Sequence, residues 1–317
     1  MNSPILVTGG AGFIGSYLVE KLLSEGFETH ILDNFSNGNI KYFDKWKGIS
    51  RFQCHKIDLL DKASLDILQD YRVIYHLAAN PEVRQSVTDP EINFKQNVVA
   101  TFNLLESIRK SDAELLVFAS TSTVYGEATK IPTPEDFSLS EPISVYAASK
   151  LACEALISSY AHLYGFKAII YRLANIVGEN STRGVIYDFI KKLQSDPSKL
   201  EVLGDGKQSK SYLYVSDCIE AIQFGLTSST KTVEIFNVGS EDQIDVSTIA
   251  KVVIDEMGLS EVNIMYTGGV EGGRGWKGDV KNMLLDISKL KSLGWEPKYN
   301  SLNSLQVTTR KMLSKSL

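Results

Sequence analysis

A tyrosine and a lysine stand four residues apart in the segment Ser144-Val145-Tyr146-Ala147-Ala148-Ser149-Lys150. Residues with this spacing share one face of a helix, so the ammonium of Lys150 is expected near the phenol of Tyr146. A phenol ordinarily loses its proton at about pH 10, and a neighbouring cation favours the phenolate. The spacing therefore predicts a lowered pKa for Tyr146 and a role as general acid or base. A tyrosine and a lysine on a solvated helix face are the alternative.

Three glycines near the start of the chain, Gly9, Gly12 and Gly15, follow the apolar run Ile5-Leu6-Val7 and precede an amphipathic stretch. Glycine lets a backbone turn tightly and approach a pyrophosphate, and the N-terminus of a following helix offers unpaired N–H groups. Asp33 ends the next apolar run, where a carboxylate can accept both hydroxyls of an adenosine ribose and repels a 2′-phosphate. The pattern predicts NAD rather than NADP. An ordinary tight turn and a surface aspartate are the alternatives.

Apolar runs of strand length alternate with helical patterns through the first half of the chain. Parallel strands covered on both faces have this continuous apolar character, so the alternation predicts a doubly wound parallel α/β sheet. The predicted strands are Ile5–Val7, Thr29–Asp33, Arg51–Lys56, Arg72–Leu77, Leu115–Ser120 and Lys167–Arg172. The predicted helices are a stretch ending near Glu25 and the segments Lys62–Asp70, Glu91–Lys110 and Tyr146–Tyr164.

Beyond Gly178 the pattern becomes less regular. Helices are predicted over residues 184–195, 216–226 and 246–257, short strands over 200–203 and 212–215, and a glycine-rich loop over 268–275. We expect a dinucleotide-binding domain over residues 1–174 and a smaller α/β lobe for substrate over residues 175–317.

The composition of the 317-residue chain is that of an ordinary globular protein, with 43% hydrophobic and 22% charged residues. A net charge of −5 leaves no basic surplus for nucleic acid or an anionic membrane. The three cysteines and four histidines are scattered without metal-ligand spacing, so no metal site is predicted. Neither a signal-like start nor an apolar run of membrane-span length is recognisable, and we expect a cytoplasmic protein.

Small or polar residues follow three of the predicted strands. Asp58, after the third strand, is placed to bond an adenine amine, although it could equally cap the next helix. His76-Leu77-Ala78-Ala79-Asn80 brings small side chains to a sheet edge, where they suit a flat dinucleotide or close helix packing. One hydroxyl of Ser120-Thr121-Ser122-Thr123 could orient a substrate hydroxyl beside Tyr146, and a loop or helix cap is the alternative.

These segments together resemble the extended short-chain dehydrogenase/reductases, in the group of nucleotide-sugar epimerases and dehydratases. The resemblance spans nearly the whole chain and rests on the segments Thr8–Gly15, Asp33–Gly38, His76–Ala79, Ser120–Gly126, Tyr146–Lys150 and Gly204–Gln208. It implies a Rossmann fold with a C-terminal substrate lobe, an NAD cofactor and the catalytic set Thr121, Tyr146 and Lys150. It also implies cofactor contacts from Gly9, Gly12, Phe13, Ile14, Gly15, Asp33, Asn34, Ser36, Asn37, Gly38, Asp58, Leu59, Leu77, Ala78, Ala79, Asn97, Ser120, Tyr146 and Lys150.

The reaction class implied by the resemblance depends on the residues that follow the catalytic hydroxyl. In the family that hydroxyl lies 25 residues before the tyrosine, which corresponds to Thr121 (146 − 25 = 121). The next two positions are typically Asp-Glu in the family's 4,6-dehydratases, and the second is typically Glu in its decarboxylases. Here they are Ser122 and Thr123, neither of which is a strong acid or base near neutral pH. This favours epimerisation at C4 by transient hydride transfer through a 4-keto sugar.

The resemblance also implies substrate contacts, among them two cations for a diphosphate. Lys210 replaces the family's arginine and lacks its bidentate fork. Arg274 lies two positions upstream of the expected site, so Lys277 is a competitor, and loop cations that bind nothing are the alternative. Met283 occupies a position where side-chain bulk limits sugar size. The implied substrate-binding residues are Arg84, Thr121, Ser122, Thr123, Tyr146, Asn175, Val185, Lys210, Tyr212 and Arg274.

The expected substrate is a UDP-hexose, with UDP-glucose and UDP-galactose favoured by resemblance. A UDP-N-acetylhexosamine 4-epimerase, a nucleotide-sugar lyase, a nucleotide-sugar reductase and a non-catalytic dinucleotide sensor are the alternatives. The helical segments Glu91–Lys110 and Tyr146–Tyr164 resemble the family's dimer elements, so a homodimer is expected. Their apolar residues could equally face the sheet.

Overall fold

The computed structural model describes residues 3–138, 141–228 and 231–315, and its chain forms two compact units. Unit 1 comprises the described residues of 1–124, 145–172 and 222–236, and unit 2 those of 125–144, 173–221 and 237–317. The sequence predicted a single boundary after residue 174. The division in the structure differs from it because two segments belong to the other unit. Residues 125–144 belong to unit 2, and residues 222–236 return to unit 1 because they supply a strand to its sheet.

The strands of the described chain are short and alternate with helices through residue 173. They are β1 (Ile5–Thr8), β2 (Thr29–Asp33), β3 (Phe52–Lys56), β4 (Val73–His76), β5 (Leu115–Thr121), β6 (Lys167–Leu173), β7 (Asn175–Val177), β8 (Lys199–Val202), β9 (Ser209–Lys210), β10 (Tyr212–Tyr214), β11 (Val233–Val238), β12 (Ile244–Asp245), β13 (Asn263–Tyr266) and β14 (Asn282–Met283).

The α-helices of the described residues are α1 (Phe13–Ser24), α2 (Gln85–Thr88), α3 (Pro90–Asn93), α4 (Ala100–Ile108), α5 (Val145–Tyr164), α6 (Val185–Ser195), α7 (Val215–Ser228), α8 (Val246–Glu256), α9 (Ser288–Ser292) and α10 (Ser301–Lys315). Segments Ile40–Trp46, Lys62–Asp70 and Ser122–Tyr125 are 3₁₀ helices, and Phe94–Val99 is a π-helix.

The main sheet has seven strands in the order β11-β6-β5-β4-β1-β2-β3. Neighbouring pairs from β3 through β5 run parallel, and the order reverses beside β1, as in a doubly wound nucleotide-binding sheet. The predicted fold class is confirmed. All six predicted strands are present, and each end agrees within one residue.

The core of unit 1 forms where apolar strand residues meet apolar helix faces. Such burial stabilises the fold by about 1.5–3 kcal/mol for each large aliphatic or aromatic side chain. Its fully covered members include Leu6, Ile74, Leu116, Phe118 and Ile170 on strands and Leu104, Leu105, Ile157 and Ala161 on helices. The sheet edge that carries the candidate site is therefore attached to a rigid base.

The helical segment predicted over Glu91–Lys110 is present from Pro90 to Ile108, but the π-helix Phe94–Val99 separates α3 from α4. Within this π-helix, the side chain of Asn97 bonds to residues outside its own helix. Asn97 Oδ1 accepts the Asn80 N–H at 2.7 Å, and Asn97 Nδ2 donates to Ser149 Oγ at 2.8 Å. π-turns of this kind occur frequently at functional sites.

Unit 2 contains three small sheets with the orders β10-β7, β12-β9-β14 and β13-β8. Its core lies among α6, α8 and α10 and includes Ile186, Phe189, Leu193, Leu200, Val202, Ile249, Val253 and Leu305. Helices predicted over 184–195, 216–226 and 246–257 correspond to α6, α7 and α8. The strands predicted over 200–203 and 212–215 correspond to β8 and β10.

Candidate active site

The phenol of Tyr146 and the hydroxyl of Thr121 are hydrogen-bonded to each other. Tyr146 lies in the first turn of α5, whereas Thr121 is the last residue of β5. The Thr121 hydroxyl also accepts the Thr123 N–H at 3.2 Å and lies 3.1 Å from the Thr123 hydroxyl. The structure thus brings together the phenol predicted to transfer the proton and the hydroxyl that the resemblance assigns to orienting the sugar.

The pKa of Tyr146 does not move in the predicted direction. Burial raises it to about 12, the hydrogen bond from Thr121 acts to lower it, and Cys153 acts to raise it. The lowered pKa predicted from the Tyr-Lys spacing is therefore wrong for the protein alone. The physical reason is that loss of hydration disfavours the phenolate more than the neighbouring groups favour it.

Lys150 lies one helical turn after Tyr146 and is almost fully buried, with 4% of its surface exposed. Its Nζ donates to the carbonyl oxygen of Ala119 at 2.9 Å and lies 4.6 Å from the ring centroid of Phe118. Burial lowers the pKa of Lys150 to about 8, while Cys153 and Glu154 act to raise it. Lys150 is therefore a cation close to its titration point at neutral pH.

His76 is a further buried group of unit 1 whose interactions the sequence did not predict. Its Nδ1 lies 2.7 Å from Thr8 Oγ1, and its Nε2 lies 2.9 Å from Thr101 Oγ1. Burial, assisted by the charge of Lys150, lowers the pKa of His76 to about 3. The imidazole is consequently neutral at physiological pH.

The glycine-rich turn between β1 and α1 leaves no space for side chains at two of its glycines. A Cβ on Gly9, which has a φ of 67°, would lie 2.6 Å from the Ala78 nitrogen, and one on Gly15 would lie 2.3 Å from Gly9 O. Phe13 and Ile14 open the 12-residue helix α1, and Gly12 is its N-cap. This close backbone approach and the exposed helix N-terminus fit the pyrophosphate of a dinucleotide.

Asp33 ends β2 beside this turn, and its carboxylate fixes the surrounding backbone. Its two oxygens accept the N–H groups of Ala11 at 3.0 Å and Phe35 at 2.8 Å. Each carboxylate oxygen retains a further acceptor position, so the pair can still bond the two hydroxyls of a ribose. Burial raises the pKa of Asp33. Gly38 packs close by, since a Cβ there would lie 2.9 Å from Asp33 Oδ1.

The residues predicted near an adenine are linked to one another. Asn34 Nδ2 donates to Asp58 Oδ2 at 2.9 Å, and Asn34 Oδ1 accepts the Ser36 N–H at the same distance. Leu59, next to Asp58, is buried. Asn37 lies in the loop that follows Ser36, and Leu77, Ala78 and Ala79 follow β4.

Asn175 is the strongest ligand candidate in unit 2. It begins β7, which pairs in parallel with β10 opposite the buried Tyr212. Its side-chain amide nitrogen, Nδ2, is buried and has no hydrogen-bond partner among the described residues. A buried donor without an acceptor is costly, so this nitrogen is suited to bond a ligand oxygen. Val185 begins α6 in the same unit.

Both predicted diphosphate cations of unit 2 are paired with carboxylates. Lys210 Nζ lies 2.6 Å from Asp279 Oδ1, and an Arg274 guanidinium nitrogen lies 2.9 Å from Glu127 Oε1. Lys277 is exposed, and Met283 is buried in β14. In unit 1, Arg84 lies on the surface directly before α2.

Four charged partners in these arrangements were not identified from sequence. Glu127 and Asp279 hold the two cations of unit 2, and Glu154 and Arg172 form a buried pair in unit 1. The position of Glu154 could have been predicted from sequence, because it lies one helical turn after Lys150 on the face that carries Tyr146 and Lys150. The pairings that involve Glu127, Asp279 and Arg172 depend on tertiary contacts, and no local sequence pattern indicates them.

Side chains that could ligate a metal are dispersed through the described ranges. There, no group of three or more His, Cys, Asp or Glu side chains could hold a metal ion. Across the same residues, every helix is too short or too polar to span a bilayer.

Residues 6–308 match the family model described as GDP-mannose 4,6 dehydratase, and the chain belongs to this family. The predicted resemblance to extended short-chain dehydrogenase/reductases that act on nucleotide sugars is confirmed. A UDP-glucose 4-epimerase from Mycolicibacterium smegmatis is 29% identical over 320 residues, which cover 98% of this chain and 99% of that protein. A UDP-N-acetyl-alpha-D-glucosaminuronate decarboxylase from Bacillus cytotoxicus is 34% identical over 310 residues, with 92% of each chain covered.

Solved structures share the fold over the full length. A crystal structure of a UDP-galactose 4-epimerase has a TM-score of 0.88 and 41% identity, with 99% of each chain covered. The Thermus thermophilus UDP-glucose 4-epimerase in complex with NAD has a TM-score of 0.86 and 31% identity, covering 98% of this chain and 99% of that one. Function of the nucleotide-sugar epimerase and dehydratase type is therefore supported for this chain.

Proposed function

We propose that the protein is an NAD-dependent epimerase that acts at C4 of a UDP-hexose, with UDP-glucose and UDP-galactose as its substrates. The observation that carries this proposal is the hydrogen bond between Tyr146 and Thr121, with Lys150 one turn farther along the helix. Ser122 and Thr123 follow in a 3₁₀ helix, at the positions where the family's dehydratases typically carry Asp-Glu and its decarboxylases a Glu at the second. Epimerases of UDP-sugars among the relatives and solved structures support the same reaction.

Binding of the dinucleotide is assigned to unit 1, which carries the glycine-rich turn and Asp33. The glycine turn between β1 and α1 accepts the pyrophosphate, and Asp33 bonds the adenosine ribose. When bound, the oxidised cofactor supplies a reversible hydride acceptor for the carbon that is epimerised. The NAD in the Thermus thermophilus relative supports this assignment.

Proton transfer at the sugar is assigned to the chain's own groups. Tyr146 exchanges a proton with the C4 oxygen, and Thr121 shares that hydrogen bond and orients the sugar. Because burial raises the pKa of Tyr146 to about 12, the phenol is protonated in the free protein at neutral pH. It therefore accepts a proton only after bound ligands bring further positive charge to the phenol oxygen.

Binding of the nucleotide is assigned mainly to unit 2. The unpartnered amide nitrogen of Asn175 and the cations Lys210 and Arg274 provide donors for the diphosphate. Anchoring the substrate by its UDP leaves the sugar free to present either face to the cofactor. This division suits an epimerase, because binding energy is placed away from the centre that inverts.

A homodimer is proposed as well. Several large apolar side chains of the π-turn, α4 and α5 are exposed, namely Phe94, Phe102, Leu163 and Tyr164. Leu163 has 70% of its surface exposed, an arrangement that suits association of helix faces.

The experiment that tests the function is incubation of the protein, without added coenzyme, with a panel of UDP- and dTDP-sugars. The panel includes glucose, galactose, their N-acetyl forms, glucuronate and pentoses, and products are identified by proton NMR. We expect inversion at C4 of UDP-glucose or UDP-galactose, and none with Tyr146→Phe. Turnover only of the N-acetyl forms or of glucuronate would reassign the sugar. Loss of water or carbon dioxide would replace the epimerase proposal with a lyase, and stoichiometric NADH consumption would replace it with a reductase.

A further inference from the structure

Polar contacts connect the last residues of β5 to three successive turns of α5. Thr121 bonds Tyr146 at the first turn of the helix, and Ala119 O accepts from Lys150 Nζ one turn later. The positions of Tyr146 and Lys150 therefore depend on the register of α5 against β5. A slide or rotation of the helix would change both contacts together.

A third contact lies one further turn along the same helix face. Ser120 Oγ donates a short hydrogen bond to Glu154 Oε1. Glu154 is also bound by Arg172 of β6, whose Nη2 lies 2.7 Å from Oε2 and whose Nε lies 3.1 Å from Oε1. The side chains of Glu154 and Arg172 are only 5% and 3% exposed.

A buried ion pair of this kind is weak evidence for stability. The penalty for removing two charges from water offsets much of their attraction, and apolar pairs of similar volume are often as stable. The contribution of Arg172 is instead geometric. Its guanidinium makes two parallel hydrogen bonds that fix the orientation of the Glu154 carboxylate. That carboxylate in turn fixes Ser120, the residue directly before Thr121.

We propose that Glu154, held by Arg172, is a positioning residue that sets the register of α5 on β5 and so aligns Tyr146 and Lys150 with Thr121. The inference rests on the proposed function only in assigning the reaction to Tyr146. Glu154 itself acts through Ser120 and the helix. Reactions of this type lose roughly 100-fold in rate when catalytic groups are misplaced by about 1 Å.

The test compares two charge-neutral pairs in the full-length protein. Glu154→Leu/Arg172→Met removes both the ion pair and the Ser120 acceptor. Glu154→Gln/Arg172→Met removes the charges but keeps an amide oxygen for Ser120. We expect kcat to fall roughly 100-fold in the first variant with KM nearly unchanged, and to recover by about ten-fold in the second. A purely structural role predicts similar kcat values for both.

A control with the same bidentate chemistry on the surface is the pair Arg310–Glu256 in unit 2, with contacts of 2.6 and 2.7 Å and 63% of the Arg310 side chain exposed. Arg310→Met/Glu256→Leu should leave kcat at the wild-type value. Ser120→Ala supplies a second route should either pair variant fail to fold, because it leaves Glu154 and Arg172 intact. It is expected to lower kcat about ten-fold and to speed amide hydrogen exchange in the second and third turns of α5, whose N–H groups are bonded within the helix.

The outcomes separate the two proposals. If the wild-type protein epimerises no sugar, the proposed function fails. Faster exchange in the second and third turns of α5 in Ser120→Ala would still test the register. If the wild type is active and the leucine–methionine pair keeps its kcat, the positioning role is overturned. Wild-type exchange rates in Ser120→Ala would overturn it as well.

Discussion

Lys210 Nζ lies 2.6 Å from Asp279 Oδ1, and only 3% of the Asp279 side chain is exposed. This ion pair joins β9 to the loop before β14, and Asp279 Oδ2 also accepts the Gly275 N–H at 3.3 Å. The lysine that the sequence assigned to a diphosphate thus also neutralises a buried carboxylate. Its removal should affect folding as well as binding.

Lys210→Met is expected to lower the free energy of unfolding by about 3 kcal/mol, because it leaves Asp279 as an uncompensated buried charge. Adding Asp279→Asn should restore a large part of that loss. Urea denaturation of the two variants and of wild type measures both values. Equal destabilisation by the single and the double variant would show that the two side chains are not energetically coupled.

Glu127→Gln is expected to strengthen binding of UDP by roughly two- to five-fold, the range of a partly exposed ion pair. The Arg274 guanidinium, which lies 2.9 Å from Glu127 Oε1, would no longer be shared with a charged competitor. Calorimetric titration with UDP gives the affinity, and uridine is the matched ligand without phosphates. A gain for uridine equal to the gain for UDP would contradict an effect on the diphosphate.

Thr121→Ala and Tyr146→Phe should both lower kcat, and by different amounts. Loss of the phenol removes the proton-transfer group, which is worth about 10²- to 10⁴-fold, whereas loss of the Thr121 hydroxyl removes only its partner. We expect the tyrosine variant to be the slower, with UDP affinity unchanged in both. Thr121→Ser is the conservative control and should retain most activity.

Much of unit 1 was predictable because most of its strands are continuous apolar runs flanked by glycine or by polar loops, although β3, Phe52–Lys56, is mostly polar. Edge strand β11 was missed. Its sequence, Val-Glu-Ile-Phe-Asn-Val, carries Glu234 and Asn237, and it follows helix α7 in the irregular half of the chain. No local pattern indicates that a strand so far along the chain returns to the edge beside β6. The π-helix Phe94–Val99 was missed as well, and the side-chain partners of Asn97 within it, Asn80 and Ser149, are distant in sequence.

The candidate site, like the fold, was predictable from sequence only in its local features. The four-residue spacing correctly predicted that Tyr146 and Lys150 lie on one helix, because helical periodicity is a local property. The direction of the Tyr146 pKa shift was not predictable, because it depends on how much water the folded chain excludes. Likewise, Glu154 could have been placed on the catalytic face by spacing, whereas its bond with Arg172 could not.

Leu163→Arg is expected to weaken the proposed dimer, since it places a charge in a surface that association would dehydrate. Light scattering across a concentration series should show the wild type at twice the monomer mass and the variant shifted toward the monomer. Lys199→Ala, an exposed change in unit 2, is the control. A monomeric wild type at all concentrations would remove the dimer proposal.

The buried Lys150 should make stability depend on pH in a predictable direction. Its pKa in the folded protein is about 8, against an ordinary value of 10.5, so the unfolded chain holds a proton that the folded chain has lost between these values. Unfolding then takes up a proton, and stability rises with pH across this window. Below it, both states are charged and the burial penalty is fully present.

Lys150→Met lacks this dependence and serves as the reference. From about pH 7.5 to about pH 10.5, the unfolding free energy of wild type should rise relative to the variant by about 3 kcal/mol. Cys153, whose thiol pKa burial raises and Lys150 lowers, would also titrate in this region, so both proteins should carry Cys153→Ala. His76, with a pKa of about 3, stays neutral over the range. A flat difference between the two proteins, measured by urea denaturation, would mean that Lys150 keeps an ordinary pKa and is better hydrated than its burial indicates.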